Sequence, residues 1–424
     1  MKSNKKSNLT LNDVAKMRRM PAFATLVKPI GSACNLDCHY CYYRDKSEIY
    51  DNAMPKMSDE LLEVYIKQYI EGASQQHITF CWHGGEPLMA GLRFYQRAME
   101  LQEKYRGEKS IENTIQTNGI LVNEEWCEFF HENKFLVGLS LDGPEDIHDA
   151  FRRDCGGAPT FAKVMNAVDM MSSKGVEFNI LSTVNARSVG RGAEVYKFVR
   201  SLSHYMQFLP VVEYVQMRDA EGKRPLIVSP DEENAVEAPW SVSAKGYGQF
   251  MCDVFDEWIK FDVGTCFVQM FDVTLANWCG VAPPLCAFCE TCGDGLVVEH
   301  NGDVYSCDHF VYPEYHLGNI MEQPLVKLYD CEEQRLFGRD KRDALPLECK
   351  RCNYYFLCRG ECPKHRFGTT QSGEPYLNVL CDGFKMFFRH TDPYMRYMKM
   401  LLDKGLPASQ VMEWKRTKDN NKIN

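Results

Sequence analysis

Three cysteines crowd into one short stretch, Cys34-Asn-Leu-Asp-Cys38-His-Tyr-Cys41. A loop of this kind can turn three thiolates toward one centre. Three protein thiolates are one fewer than an ordinary [4Fe–4S] cluster takes, and one fewer than a structural zinc site takes. A four-iron cluster held this way keeps one iron free to bind something else. The competing possibility is a zinc knot closed by His39 or a distant cysteine, although zinc sites usually join CxxC pairs across longer gaps.

A second group of cysteines begins at Cys286. Cys286, Cys289 and Cys292 are followed by Gly302 and Cys307, then by Cys349, Cys352, Cys358, Cys362 and Cys381. The chain has 19 cysteines in 424 residues, 45% of them hydrophobic, which is enough for a core that needs no disulfides. The cysteines therefore point to metal ligation in a reducing compartment rather than to a secreted disulfide scaffold. Cys81, Cys127, Cys155, Cys252, Cys266, Cys279 and Cys331 fall outside both groups and read as buried small hydrophobes. Cys266 or Cys279 is also a candidate substrate-side thiol.

Between the two groups lie short polar and glycine-rich runs. They are His83-Gly-Gly-Glu-Pro87, Gln116-Thr-Asn-Gly119 and Ser140-Leu-Asp-Gly143. The elements around them explain their spacing. Strands are predicted at Ala24 to Ile30, His77 to Trp82, Ile111 to Thr117, Phe135 to Ser140, Val176 to Thr183 and Met206 to Val212. Helices alternate with them at Met57 to Ile70, Leu92 to Tyr105, Asn123 to Glu132, Phe161 to Lys174 and Ala193 to Leu202. That rhythm means parallel βαβ units. Each polar run then falls at the carboxyl end of a parallel strand, where barrel active sites collect. Lys28 breaks the first strand, and Pro29 counts against a central position there. Periodicity leaves an open doubly wound sheet and a partial barrel both possible, and no G-x-G-x-x-G run supports a dinucleotide site.

After about residue 215 the rhythm stops. Residues 216–245 read as polar and loop-like, Tyr247 to Phe261 as helix, and the chain beyond 280 as turn-rich. Residues 1–23 form a leader, and Glu413 to Asn424 is expected to fray. The formal charge of −9 argues against nucleic acid as the main partner. No window approaches eighteen uncharged apolar residues, so no membrane span is expected.

CxxxCxxC with Tyr40 before the last cysteine is similar to the cluster motif of radical S-adenosylmethionine (radical SAM) enzymes. The later cysteines resemble the SPASM extension. From Ala24 to Phe387 the chain resembles the anaerobic sulfatase-maturating enzymes, on the WHGGEPL, QTNG and LSLDGP runs and on Cys307-Asp308. The resemblance implies an α/β fold: a partial (β/α)6 barrel with a C-terminal SPASM domain. The expected division is barrel 24–245, bridge 246–285, SPASM 286–387 and helical tail 388–424.

It also implies S-adenosylmethionine and three [4Fe–4S] clusters. The first would be held by Cys34, Cys38 and Cys41. Auxiliary cluster one would take Cys286, Cys292, Cys307 and Cys362, and auxiliary cluster two Cys349, Cys352, Cys358 and Cys381. Cys289 lies three residues from both Cys286 and Cys292, so either could be exchanged for it. Tyr40, Gly84, Gly85, Glu86, Ser140 and Arg152 would face S-adenosylmethionine, with Asp142, His148 and Asp149 nearby. Asp308 would be the base that takes a proton from the substrate. The implied reaction oxidises a cysteine or serine in a C/S-x-P-x-R motif of an unfolded sulfatase to Cα-formylglycine. The implied setting is a cytoplasmic monomer served by a low-potential donor such as flavodoxin or ferredoxin. Another SPASM peptide-modifying enzyme is the alternative, although residues 1–23 are too short for its usual recognition domain. A non-catalytic iron–sulfur carrier would leave the strand-end motifs without a use.

Overall fold

Alternation along the strands sets the architecture of the computed structural model, which describes residues 22–50, 56–217 and 225–423. In His77–Trp82 (β2), Ile78, Phe80 and Trp82 are buried while Thr79 and Cys81 are half-buried. The buried side meets helix Asp59–Gly72 (α1), whose Tyr65 and Tyr69 rings stack edge-on against Phe80. Ser58 caps α1 by accepting from Leu61 N at 3.1 Å. Each such fully enclosed ring contributes roughly 1.5–3 kcal/mol.

The same unit repeats. Ala24–Val27 (β1), β2, Ser110–Thr117 (β3), Leu136–Ser140 (β4), Phe178–Val184 (β5) and Tyr205–Pro210 (β6) are parallel neighbours in chain order. Helices Leu92–Tyr105 (α2), Glu124–Glu132 (α3), Glu145–Phe151 (α4), Phe161–Ser173 (α5) and Gly192–Arg200 (α6) lie between them in the chain. This is the β/α core of a partial (β/α)6 barrel. The first strand is shorter than its apolar run, because Lys28 and Pro29 fall just beyond its end.

Residues 216–245 are less loop-like than their composition suggests. Tyr214–Gln216 (β7), Leu226–Val228 (β8) and Val236–Glu237 (β9) form a small antiparallel sheet. Its Val215, with Ala238 and Trp240 beyond it, packs on Leu36, Cys38 and Tyr40 of the cysteine loop. Helix Ala244–Phe261 (α7) follows, then Phe267–Val268 (β10) beside β6 and helix Gln269–Trp278 (α8).

Gly295–Val298 (β11) pairs parallel with β1, with Ala24 opposite Gly295 and Val27 opposite Val298. Asp303–Tyr305 (β12) and His316–Asn319 (β13) continue antiparallel from it. Barrel and cysteine-rich region therefore share one ten-stranded sheet, which runs β10-β6-β5-β4-β3-β2-β1-β11-β12-β13. Helix Glu332–Asp343 (α9) and the long helix Cys381–Asp403 (α10) complete the region. Residues 411–423 are helical rather than frayed, since Val411 is buried and Trp414 stacks on Tyr397 at 4.6 Å. The expected leader lies outside the described residues except for Ala22 and Phe23.

Candidate active site

The loop after β1 carries Cys34, Cys38 and Cys41 at the carboxyl end of the barrel strands. Backbone bonds fix it on α4: Asp37 N donates to Arg153 O at 2.8 Å and His39 N to Phe151 O at 3.0 Å. Leu36 N donates to Cys34 Sγ at 3.4 Å, and Asn118 of the QTNG run approaches the same sulfur at 3.7 Å. Burial pushes Cys38 up to about 12, with Cys41 among the neighbours that add to it. Thiols so placed need metal charge to stand as thiolates.

The His83–Pro87 run docks directly on this loop. Gly85 N donates to Gly31 O at 2.8 Å and Glu86 N to Ala33 O at 2.9 Å. A Cβ on Gly85 would overlap the Ala33 carbonyl, so only glycine fits. Glu86 is fully enclosed. It accepts from Leu88 N at 3.0 Å, Thr117 Oγ1 at 2.9 Å and Asn118 N at 2.8 Å. Burial pushes its carboxyl up to about 7 against those three donors. Glu86 thus ties two strand-end runs together.

Tyr40, Asp142 and Arg152 form a buried group. Tyr40 donates to Asp142, which also accepts from Arg152 at 3.0 Å and from Thr183 N at 3.0 Å. Burial alone would raise Asp142, but the Arg152 cation holds it below its ordinary value. Ser140 accepts from Gln116 Nε2 at 2.9 Å at the end of β4. His148 and Asp149 serve the fold instead: Asp149 accepts from Thr160 N and Phe161 N at the start of α5, and His148 bonds Thr160. Around this group Asn35 Nδ2, Arg152 Nε, Thr183 Oγ1, Asn185 Nδ2 and Trp240 Nε1 are buried without partners. Buried polar atoms are normally satisfied, so these atoms suit a polar ligand such as S-adenosylmethionine.

Asp308 reaches the first cysteine loop from the auxiliary region. It accepts from the hydroxyl of Tyr42, the residue after Cys41, and pairs with Lys28. Lys28 is wholly buried, lies 3.6 Å over the Tyr43 ring and is 3.3 Å from His83 Nδ1. Burial would raise the Asp308 carboxyl, yet the Lys28 cation holds it far below the usual carboxylate range. Burial takes His83 down to about 4, and its Nδ1 accepts from Gly84 N at 2.8 Å. Lys28, His83 and Glu299 each follow the last residue of β1, β2 and β11, so they form a row along the strand ends. Tyr43 donates to Glu299 across that row.

The later cysteines fall into two neighbourhoods. Cys307 is pushed up to about 12 by burial, with Cys286 and Cys292 adding to it, and Cys362 is raised by burial and also by Cys307 and Cys286. Cys349, Cys352, Cys358 and Cys381 line a single hollow with Tyr354, Phe384 and Lys385. Cys289 turns away, its thiol toward the Pro283 and Leu285 carbonyls at 3.4 and 3.6 Å. Among the described residues no three His, Cys, Asp or Glu side chains close on a single metal-ion position. A four-iron cluster spreads its thiolates around a cube, which suits the wider gathering seen here.

Of the other cysteines, Cys127 and Cys252 are buried as expected, whereas Cys155 is exposed and Cys331 caps α9 by accepting from Gln334 N at 3.4 Å. Cys266 is buried against His204 next to β10, which pairs with the start of β6, at the end of the strands away from the cysteine loop. Residues that sequence reasoning missed stand around Asp308. Lys364 bonds Glu213 at 2.6 Å and lies over the Tyr42 ring at 4.3 Å. Lys46 covers the Tyr312 ring at 3.1 Å, and burial, then Lys364, lowers it to about 7. Lys28 had shown itself in the sequence as the interruption of an apolar strand.

Residues 29–186 match the Radical SAM superfamily, and residues 286–353 match an iron–sulfur cluster-binding domain termed SPASM. The chain is 47% identical over 387 residues to the serine-type anaerobic sulfatase-maturating enzyme of Bacteroides thetaiotaomicron, covering 91% of this chain and 93% of that one. It is 34% identical over 382 residues to a cysteine-type anaerobic sulfatase-maturating enzyme of Clostridium perfringens, covering 88% and 97%. A solved structure described as native anSMEcpe with bound AdoMet and Cp18Cys peptide superposes with a TM-score of 0.77 at 33% identity, covering 89% and 99%.

Proposed function

The chain belongs to the radical SAM family of anaerobic sulfatase-maturating enzymes, and from that premise we propose how its own residues carry the reaction. The protein oxidises a cysteine or serine of a C/S-x-P-x-R motif in a sulfatase polypeptide to Cα-formylglycine. We assign the first cluster to Cys34, Cys38 and Cys41 within the barrel unit, residues 24–245. Auxiliary cluster one belongs to Cys286, Cys292, Cys307 and Cys362 and auxiliary cluster two to Cys349, Cys352, Cys358 and Cys381, all within residues 286–387, with 246–285 as the bridge. Bound there, the first cluster would supply the electron for reductive cleavage of S-adenosylmethionine, the chemistry that allows hydrogen to be taken from the target Cβ.

The chain's residues do the rest. Gly84 and Gly85 let the backbone approach the methionine end of S-adenosylmethionine, and Glu86 holds that turn on the cysteine loop. Arg152 and Ser140 face its carboxylate and ribose, with Tyr40 and Asp142 keeping Arg152 in place. Asp308 accepts the proton of the target thiol or hydroxyl. A carboxylate held so low is a weak base at rest, and it works on a side chain made acidic by the carbon radical beside it. Lys28 keeps that carboxylate ionised and oriented.

One observation carries the reading. The Tyr42–Asp308 hydrogen bond joins segments 266 residues apart, and each partner directly follows a cysteine of a different group. A base beside the first cluster and an auxiliary cluster at once is what a coupled proton and electron removal requires. The auxiliary clusters would supply a path for the electron toward a low-potential carrier, and the enzyme works as a cytoplasmic monomer.

Mass spectrometry of peptides carrying C-x-P-x-R or S-x-P-x-R tests this after incubation with the reconstituted protein, S-adenosylmethionine and reductant. Serine should lose two hydrogen atoms, and cysteine should in addition exchange sulfur for oxygen. Unchanged peptides beside abundant deoxyadenosine would overturn the substrate assignment.

A further inference from the structure

Helix α9 is polar in composition, yet Gln334, Gly338 and Lys341 are buried on it. Spacings of four and three place them on one stripe. The stripe lies against the Cys289–Gly293 segment. Gln334 Nε2 donates to Gly293 O at 2.7 Å, Cys292 N donates to Gly338 O at 3.2 Å, and Lys341 donates to Cys289 O. A Cβ on Gly338 would overlap the Cys292 carbonyl, so the glycine lets the helix come this close. Lys341, 1% exposed, is thereby carried to the segment that follows Cys286 and holds Cys292, where its charge opposes the burial that raises both thiols.

A second buried cation stands beside it. Arg366 donates to Gly360 O and Glu361 O at 2.8 Å, to Arg359 O at 3.1 Å and to Lys341 O. After Glu361, the Cys358, Cys362 and Cys349 thiols oppose the lowering of this cation by burial. Neither cation has a carboxylate partner among the described residues. Glu361, the acid acting on both, already binds His365 at 2.9 Å and Asn378 at 2.7 Å. Two adjacent cations out of water are costly unless negative charge answers them. Besides Glu361, thiols of the two sets are their anionic neighbours, Cys286 and Cys292 for Lys341 and Cys349, Cys358 and Cys362 for Arg366.

Resting on the auxiliary-cluster reading above, we infer that Lys341 and Arg366 are built-in counter-cations of the two auxiliary clusters. Lys341 serves the cluster held by Cys286, Cys292, Cys307 and Cys362 and favours its reduced state. A thiolate-ligated cluster is an anion that gains negative charge on reduction. A fixed cation beside the cluster stabilises that form even at a high effective dielectric.

The test uses the reconstituted full chain. Iron is counted first, and about twelve per chain is expected from three four-iron clusters. Iron near four in the unmodified protein would overturn the auxiliary-cluster reading, and this inference with it. Potentiometric EPR then compares the unmodified protein with Lys341→Met and Lys341→Arg. At a fixed applied potential, Lys341→Met should lower the reduced-to-oxidised ratio of one auxiliary signal roughly tenfold, leaving the first cluster unmoved. Lys341→Arg should match the unmodified protein. Full iron with an unmoved signal in Lys341→Met overturns the inference and leaves the cluster reading intact. If Lys341→Met loses iron, full loading of Lys341→Arg supports the role of charge, and loss in both variants overturns it.

Discussion

Lys28 at the end of β1 and Asp308 beside Cys307 form an ion pair in which the lysine is wholly buried and the aspartate 17% exposed. The pair crosses the line along which β1 meets β11. It makes the carboxylate proposed as the base in one region depend on a cation from the other.

Removing the acid separates the two halves of the reaction. Asp308→Asn keeps the shape but loses proton acceptance. Deoxyadenosine should still form, because the groups proposed to face S-adenosylmethionine are untouched. Formylglycine should fall by roughly 10²–10⁴. Near-normal formylglycine with all clusters intact would remove Asp308 from the mechanism.

Lys28→Met should reproduce that uncoupling by leaving a buried carboxylate without its cation, and Lys28→Arg should restore part of the yield. The double variant Lys28→Met/Asp308→Asn should be no worse than Asp308→Asn alone, because both act through one interaction. Additive losses in the ratio of formylglycine to deoxyadenosine would show that Lys28 works independently.

Asp142→Asn leaves Arg152 as a buried cation without its anion. Loss of roughly 3–5 kcal/mol of stability is expected, together with weaker S-adenosylmethionine binding, measurable by denaturation and equilibrium dialysis. Tyr40→Phe removes only the hydroxyl bond and should cost about 1 kcal/mol.

Gly85→Ala forces a methyl into the Ala33 carbonyl and should undock the His83–Pro87 turn from the cysteine loop. S-adenosylmethionine binding should be lost while the auxiliary iron remains. Binding as tight as in the unmodified protein would mean that the loop re-forms around the methyl.

Lys46 gives a pH signature. Its folded value is about 7 against an ordinary 10.5, so between those values the unfolded chain binds the additional proton. Stability should therefore rise with pH across that window, by up to about 1.4 kcal/mol per pH unit. Lys46→Met should flatten the rise, and urea unfolding at pH 7 and at pH 9 checks it.

The core was legible because its signals are local. Ile78, Phe80 and Trp82 alternate, Leu61, Leu62, Tyr65 and Ile66 keep helical spacing, and glycine or polar residues follow the strands. Cys34, Cys38 and Cys41 are legible for the same reason. Lys28 was visible only as a flaw in an apolar strand, since its partner lies far along the chain. The strand β11 was hidden among cysteines, because four residues carry little periodicity and their extension comes from pairing with β1 and β12. The β7–β9 sheet was missed for a related reason. Its strands are three residues or fewer, and packing on Leu36, Cys38 and Tyr40 holds them rather than propensity.

The shared sheet also orders biosynthesis. The β1 edge that carries the first cysteine loop stays open until Gly295–Val298 has been made and laid against it. A ribosome-bound barrel therefore presents unpaired backbone groups, a template for aggregation, and its Tyr43 lacks Glu299. A chain cut before Gly295 should be insoluble or bind foreign strands. The cysteine loop after β1 is thus secured only once Gly295–Val298 has left the ribosome.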